Sequence, residues 1–285
     1  MTEVDIAHLR QWIGREERKT DVLTVGLAER FRATLGTDTL APGDTLPLAI
    51  HWCLAPAAVP PGDIGEDGHP ARGGFLPPVP LPRRMWAGGE LKFLRPLLIG
   101  DTVERLSRIA DVSEKIGRSG RLVFVTVEHE ISTGEGVAVA ERQDLVYREA
   151  QSAAAPAPAA PAATPAAEPR RAEISVTVET PIVLLFRYSA LTFNGHRIHY
   201  DRDYARDVEG YPGLVVHGPL QATLLANLAA RLNDGRPPRR FAYRGVSPLF
   251  DGAPFTVNAV HRDGGFDLWC ADAAGTATMT ATAER

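Results

Sequence analysis

The densest run of groups able to move protons lies between Ser189 and Asp203, SALTFNGHRIHYDRD, which holds Asn194, His196, Arg197, His199, Asp201 and Asp203. Histidine, with an ordinary pKa of about 6.5, can take a proton and return it near neutrality. An amide such as Asn194 cannot do that, but its carbonyl oxygen can hold a water molecule. Downstream, Gly213-Leu-Val-Val-His217-Gly218-Pro219 leads into a leucine-rich run. A glycine at a helix N-terminus presents free N–H groups with the positive end of the dipole behind them. That spot stabilises an oxyanion developing on a carbonyl, and the missing side chain lets a substrate come close. A histidine brought opposite Gly218 would complete an acid/base-plus-oxyanion site. His196, His199 and His217 also suggest a metal, but H-x-x-H without a firm third ligand is common by chance, and no metal is expected. Asp201 reads as a cap or turn-former rather than as a second acid.

The elements that must carry these groups can be read from periodicity. Residues 219–232 read as a helix, with Pro219 at its first position and Leu220, Leu224, Leu225 and Leu228 on one face. An apolar, helix-like run, 181–188, precedes the polar stretch. Strand-like runs follow the helix at 240–245, 255–261, 265–271 and 276–283. The first half repeats the plan. A helical segment at 21–35 carries Leu23, Leu27, Phe31 and Leu35 at i, i+4 spacing. Strand-like runs follow at 90–93, 102–112, 121–132 and 137–147, the last three separated by glycine turns. Pro96-Leu-Leu-Ile-Gly100-Asp and Pro248-Leu-Phe-Asp-Gly252-Ala share Pro, Leu and Gly at the same offsets. Between the halves, residues 151–169 read QSAAAPAPAAPAATPAAEP, a stiff Ala/Pro stretch with nothing to pack, taken as a linker. The expected organisation is therefore 1–150, a linker at 151–169, and 170–285. Each half would be an antiparallel sheet wrapped around a central helix, an α+β architecture used twice.

The chain has 285 residues, 44% hydrophobic and 23% charged, enough for a sizeable core. A net charge of −4 and the lack of a basic, aromatic-interleaved stretch argue against nucleic acid as a partner. No apolar run is long enough to span a bilayer, and the N-terminus carries charge where a signal peptide would be apolar, so a cytoplasmic location is expected. Cys53 and Cys270 are expected as buried free thiols, with one long-range disulfide as the alternative. Arginine far outnumbers lysine, so anions would be met by planar, bidentate groups. In the Pro/Gly-rich loop containing Gly68-His69-Pro70, two readings stay open: a cover over the pocket, or a plain connection.

The run Phe186-Arg-Tyr-Ser-Ala-Leu-Thr-Phe-Asn194-Gly-His-Arg-Ile-His199-Tyr-Asp201, followed by Val216-His217-Gly218-Pro-Leu220, resembles the MaoC-like enoyl-thioester hydratases of hotdog fold. Pro82-Arg-Arg-Met-Trp-Ala-Gly-Gly89 adds to the resemblance, which points to the subgroup with two fused hotdogs. The resemblance implies a fused double hotdog and a cofactor-free hydratase/dehydratase acting on an acyl-CoA. His199 would be the catalytic histidine, and Gly218 would bind the thioester oxygen. Asn194 falls where the family has an aspartate, which leaves the identity of a second acid/base group open. Arg84, Trp86, Arg197, His217 and Val216 are the candidate substrate-binding residues; for His217, packing beside the glycine competes with contact to substrate, and for Trp86 the pocket wall or core does. The first half, without the N-x-x-x-x-H pattern, would shape the acyl pocket. A short branched dicarboxylic enoyl-CoA, itaconyl-CoA or mesaconyl-C4-CoA (3-methylfumaryl-CoA), is the favoured substrate. A 3-hydroxyacyl-thioester dehydratase of fatty-acid synthesis, on CoA or acyl carrier protein, is the alternative. A non-catalytic acyl-thioester-binding hotdog and a thioesterase are the remaining ones. Monomer and homo-oligomer are both open.

Overall fold

A computed structural model of the protein describes residues 3–36, 40, 46–117, 120–149 and 171–285. The chain runs as a short helix α1 (Ile6–Leu9), strand β1 (Glu16–Val22), helix α2 (Val25–Leu35), then β2 (Arg83–Phe93), β3 (Thr102–Gly117), β4 (Gly120–Thr133) and β5 (Gly136–Arg148). It continues with β6 (Ile174–Val178), α3 (Ile182–Thr192), α4 (Gly218–Leu232), β7 (Arg240–Gly245), β8 (Phe255–Arg262), β9 (Gly265–Ala271) and β10 (Ala277–Glu284). All ten strands form one antiparallel sheet in the order β1-β3-β4-β5-β2-β7-β10-β9-β8-β6. Each half therefore contributes five strands in the same order (first, third, fourth, fifth, second), and the two second strands, β2 and β7, meet at the centre.

The register at that seam ties it to the sequence repeat. Glu90 pairs with Ala242, with Gly88 opposite Arg244 on one side and Lys92 opposite Arg240 on the other. Pro96 and Pro248 stand as far apart in sequence as Glu90 and Ala242. A two-fold axis through the Glu90–Ala242 pair thus superposes the two Pro-Leu-x-x-Gly turns, each of which leads from a central strand into the next strand of its own half. The stretch read as a linker lies outside the described residues.

The helical reading at 21–35 is corrected at its start. Asp21 and Val22 close β1, and the helix begins only after Thr24, whose hydroxyl accepts from Leu27 N at 3.2 Å. Asp21 instead accepts from the Ala55 N–H at 2.8 Å. Gly36, at φ 72°, ends the helix. Ala28, Phe31 and Leu35 are its buried face.

Helix α4 also departs from expectation. Every residue from Leu220 to Ala230 is buried, not only the leucine face. One side lies against β7–β10, and the other is covered by α3 and by the first half. A helix covered on all sides must satisfy its polar groups internally. Gln221 accepts from Thr278 at 2.7 Å, and Thr223 meets the Tyr188 hydroxyl at 3.1 Å. Asn227 clamps the backbone of Leu48 through both amide atoms, at 2.9 and 3.1 Å. One apolar cluster therefore runs through both halves, joining Phe31, Leu54 and Leu91 to Leu220, Leu224, Phe241 and Leu268. A smaller one packs Val4, Leu9, Val79 and Leu81 on β3–β5. Cys53 and Cys270 are buried and free. Among the described residues, no helix is long and apolar enough to cross a membrane.

Candidate active site

Helix α3 stops at Phe193, which takes a left-handed conformation (φ 52°) while Asn194 N bonds back to Ser189 O at 2.8 Å. The chain then turns tightly. Asn194 Oδ1 accepts from His196 N at 3.0 Å, and a 3-10 turn, Arg197–His199, follows. Asp201 holds the next turn, accepting from Tyr204 N at 3.0 Å and from Arg197 Nη2 at 2.8 Å. Residues 213–217 return beside this turn: Val215 N donates to Ile198 O and Val216 N to Leu249 O. Gly213 is required there, because a Cβ would sit 2.7 Å from the Asp251 carboxylate that anchors Leu214 N.

This folding brings His199 and His217 face to face, with ring centroids 3.7 Å apart and planes 17° from parallel. His199 Nδ1 lies 2.7 Å from Val215 O. A carbonyl only accepts, so Nδ1 carries the proton and Nε2 keeps its lone pair. Nε2 has no hydrogen-bond partner among the described residues. Burial pulls the His199 pKa down to about 4, against the Val215 hydrogen bond. His217 is fully buried. Its Nε2 meets Ser189 Oγ at 2.8 Å, its Nδ1 has no partner, and burial holds its pKa well below the usual range. Both rings are therefore neutral at physiological pH. The candidate metal trio His196, His199 and His217 is committed to other contacts: His217 to Ser189 and His199 to Val215.

Helix α4 starts directly after His217. Gly218 has no positive φ, and a Cβ there would meet only Met279 Cε, at 3.8 Å. Neither backbone conformation nor packing therefore demands glycine. What its small size does is keep the space over the first N–H of a fifteen-residue helix open.

The first half reaches into this site. Arg197 N donates to Asp67 O at 3.0 Å and Arg197 Nη1 to Glu66 O at 3.2 Å. Gly68 and Gly195 lie back to back: a Cβ on Gly68 would overlap the Gly195 carbonyl. His69 is thereby set against His196, with ring centroids 4.2 Å apart, and His196 stands edge-on to His199 at 5.5 Å. Asp67 holds His69 twice, at Nδ1 (3.1 Å) and at the backbone N–H (3.0 Å). Burial, helped by the charge of Arg84, pulls His69 down to about 4. Burial and the neighbouring His69 and His199 hold His196 lower still. Burial alone would raise the Asp67 carboxyl pKa, but the hydrogen bonds from the His69 ring and backbone N–H outweigh it and hold Asp67 below the usual carboxylate range. Asp67, His69 and His196 bring ligand-type atoms within 4.8 Å of one another, although Asp67 and His69 already bond to each other.

Of the residues singled out in the sequence, His199, His217 and Gly218 come together, Asn194 lies in the turn before His199, and the buried Val216 directly precedes His217. Arg84, on β2, is half-buried and close enough for its charge to act on His69 and His196. Arg197 is engaged by Asp201, by Glu66 O and by the Tyr204 ring 4.1 Å away. Trp86 belongs to a separate aromatic group with Trp52 and Tyr243, at 5.0 and 6.2 Å. Sequence reasoning missed Asp67, Ser189 and the carbonyl of Val215, and it left the His69 loop undecided. The Asp67-Gly-His69 triplet was the available signal.

The hydroxyacyl-thioester dehydratase type 2 family matches residues 49–251. The chain is 45% identical over 276 residues to a Chloroflexus aurantiacus protein named mesaconyl-C(4)-CoA hydratase, covering 96% of each chain. Its fold is shared with a MaoC-like dehydratase from Phytophthora capsici (TM-score 0.67, 14% identity, 99% of each chain). It is also shared with a conserved Mycobacterium tuberculosis protein described as a double hotdog fold (TM-score 0.53, 15% identity, 96% of each chain). At these identities the structural likeness is one of fold.

Proposed function

The chain belongs to the hydroxyacyl-thioester dehydratase type 2 family, and on that premise we propose that it adds water reversibly across the α,β double bond of a short branched dicarboxylic enoyl-CoA. Mesaconyl-C4-CoA (3-methylfumaryl-CoA) is the leading substrate, because the Chloroflexus relative carries that name; itaconyl-CoA, whose methylene double bond must first shift into conjugation with the thioester, is second. The observation that carries the reading is the pairing of a neutral His199, whose Nε2 keeps a free lone pair, with a glycine-opened helix N-terminus at Gly218.

In this mechanism the thioester carbonyl accepts a hydrogen bond from the Gly218 N–H. His199 Nε2 takes a proton from water as its oxygen bonds to the β-carbon. The enolate charge that develops is stabilised at the start of α4. The proton on Nε2 then passes to the α-carbon, so one water is added and His199 ends as it began. Dehydration is the reverse. Asn194 Oδ1 already accepts from His196 N, so its NH2 is the end offered to the water oxygen, which turns a water proton toward Nε2. His217 fixes the plane of the His199 ring through their stack. Arg197 fastens the first-half loop, and Val216 contributes a wall. Catalysis is thus assigned to 170–285 and the shaping of the acyl end to 1–150, with a CoA thioester as partner in the cytoplasm.

The test is an assay of the purified protein on 3-methylfumaryl-CoA, itaconyl-CoA and crotonyl-CoA, with His199→Ala alongside. Hydration of a dicarboxylic thioester, reduced about 10²–10⁴-fold in the variant, is the expected result. A preference for simple enoyl chains would move the protein to the alternative, a 3-hydroxyacyl-thioester dehydratase of fatty-acid synthesis. Turnover of none would overturn the catalytic reading.

A further inference from the structure

The mechanism above makes no use of Asp67 and His69, yet the fold goes to some length to bring them in. The loop bearing them crosses from the first half and is fastened to the turn before His199 by two Arg197 hydrogen bonds and by the Gly68–Gly195 contact. With Nδ1–H directed at Asp67, a neutral His69 offers Nε2 only as an acceptor.

Beside it stands Arg84. The neighbouring arginines are all occupied. Arg72 donates to the carbonyls of Val79, Leu81 and Pro82. Arg83 pairs with Glu209 at 3.2 Å, and Arg197 with Asp201 at 2.8 Å. Arg84 is half-buried and has no hydrogen-bond or ionic partner among the described residues, while its charge acts on both His69 and His196. A half-buried guanidinium with no anion leaves its bidentate fork open, and that fork matches a carboxylate.

The substrate chemistry supplies that anion in the right place. In 3-methylfumaryl-CoA the free carboxylate is bonded to the β-carbon, the atom that water attacks, so it must lie beside the His199 site. We propose that Arg84 and the Asp67-held His69 form the receptor for the free carboxylate of the dicarboxylic thioester, and that His69 takes up a proton as that carboxylate arrives. This inference rests on the reading of the site given above.

Hydrogen bonding requires the proton. The groups facing His69 are Asp67 and Arg72 from its own loop, Arg84 from β2, and His196, with His199 beyond it. In the empty site Asp67 offsets one of the two arginines and the imidazoles are neutral. A bound carboxylate only accepts, so it would meet a neutral Nε2 acceptor to acceptor. A proton on His69 turns Nε2 into a donor that can bond the carboxylate.

The test is calorimetric binding of two saturated, unreactive thioesters, methylsuccinyl-CoA and butyryl-CoA, to the full chain at neutral pH in two buffers of different ionisation heat. Wild-type protein is expected to prefer methylsuccinyl-CoA and to take up close to one proton with it, but none with butyryl-CoA. Arg84→Gln and His69→Gln should each weaken methylsuccinyl-CoA by about tenfold or more. The ratio of the two Kd values then falls toward one, proton uptake vanishes in His69→Gln, and Arg84→Lys recovers part of the preference. Far-UV dichroism and melting establish that each variant is folded. A wild-type preference that survives in both Gln variants, or dicarboxylate binding without proton uptake, would overturn the proposal. Because neither ligand reacts, that outcome is separable from a failure of hydration in the activity assay.

Discussion

Gly68→Ala probes the junction through which the first half enters the site, and Gly73→Ala is its natural control. Both glycines sit in the same loop at nearly the same φ, +89° and +91°. An alanine in that left-handed region costs about 1 kcal/mol at either position. Only the surroundings differ. At 73 the new Cβ would touch Pro78 Cβ at an ordinary 3.7 Å, whereas at 68 it would overlap the carbonyl of Gly195. Relieving that overlap must part the two loops. The Arg197 N to Asp67 O bond (3.0 Å) and the Gly65 N to His69 O bond (2.7 Å) lie directly in the way. Their loss adds about 1 kcal/mol each. Gly68→Ala should therefore cost about 3 kcal/mol and Gly73→Ala about 1 kcal/mol. At about 2 °C per kcal/mol for a chain of this size, melting should fall by about 6 °C and about 2 °C. Moving the 194–199 turn by about 1 Å should also lower kcat by up to about 100-fold in Gly68→Ala alone. If the two variants melt together and Gly68→Ala keeps wild-type kcat, the loop contact does not position the site.

The low pKa of His199 sets the pH behaviour: the hydration rate should stay level down to about pH 5 and fall only near about 4, where an exposed histidine would fail at about 6.5. In the unfolded chain His199 binds a proton below about 6.5 that the fold refuses until about 4, so stability is complete above that range and is lost as pH falls through it, by about 2 kcal/mol between pH 7 and 5. Urea melts should show that loss and show less of it in His199→Asn. Gly218→Ala should melt within about 1 °C of wild type, since its Cβ meets only Met279, while kcat/KM falls about tenfold or more as the thioester is pushed off the helix N–H; normal kinetics would remove Gly218 from the mechanism. Glu141 is buried, accepts from Trp52 Nε1 at 3.0 Å and faces His51 Nε2 at 3.5 Å. Glu141→Leu should cost about 3 kcal/mol by stranding both, measured as a shift of the urea midpoint.

Periodicity located the elements that bury a face. Strands β4, β5, β7, β8 and β9 and helix α4 lie within a residue or two of where alternation and leucine spacing put them. It failed where pairing rather than burial makes the strand. β1 reads EERKTDV, without an alternating apolar face, and is held at the sheet edge by its ladder to β3 and by ion pairs such as Arg18–Glu104 and Arg108–Glu16. β6, at the opposite edge, was given no bounds, because five residues leave little pattern to read. In the site, the local motif showed Asn194, His199 and Gly218 because they share one turn and one helix start. Asp67 and His69 were not legible, since nothing in the sequence tells which distant loop will meet Gly195. Their placement depends on two glycines in different halves fitting back to back.

The pair Glu90–Ala242 on the two-fold axis has a consequence for stoichiometry. Two identical copies joined through this seam would carry two equivalent catalytic turns and present the same loop to each. Here the partners are covalently joined and no longer alike: one keeps the histidine and the helix-start glycine, and the other has given these up and provides Asp67, His69 and Arg84. On the function proposed above, a two-fold sheet with unlike halves would hold one reaction centre instead of two, in exchange for a substrate-reading wall that no symmetric dimer could build at one site alone. A titration with a tight thioester should accordingly saturate at one equivalent per chain.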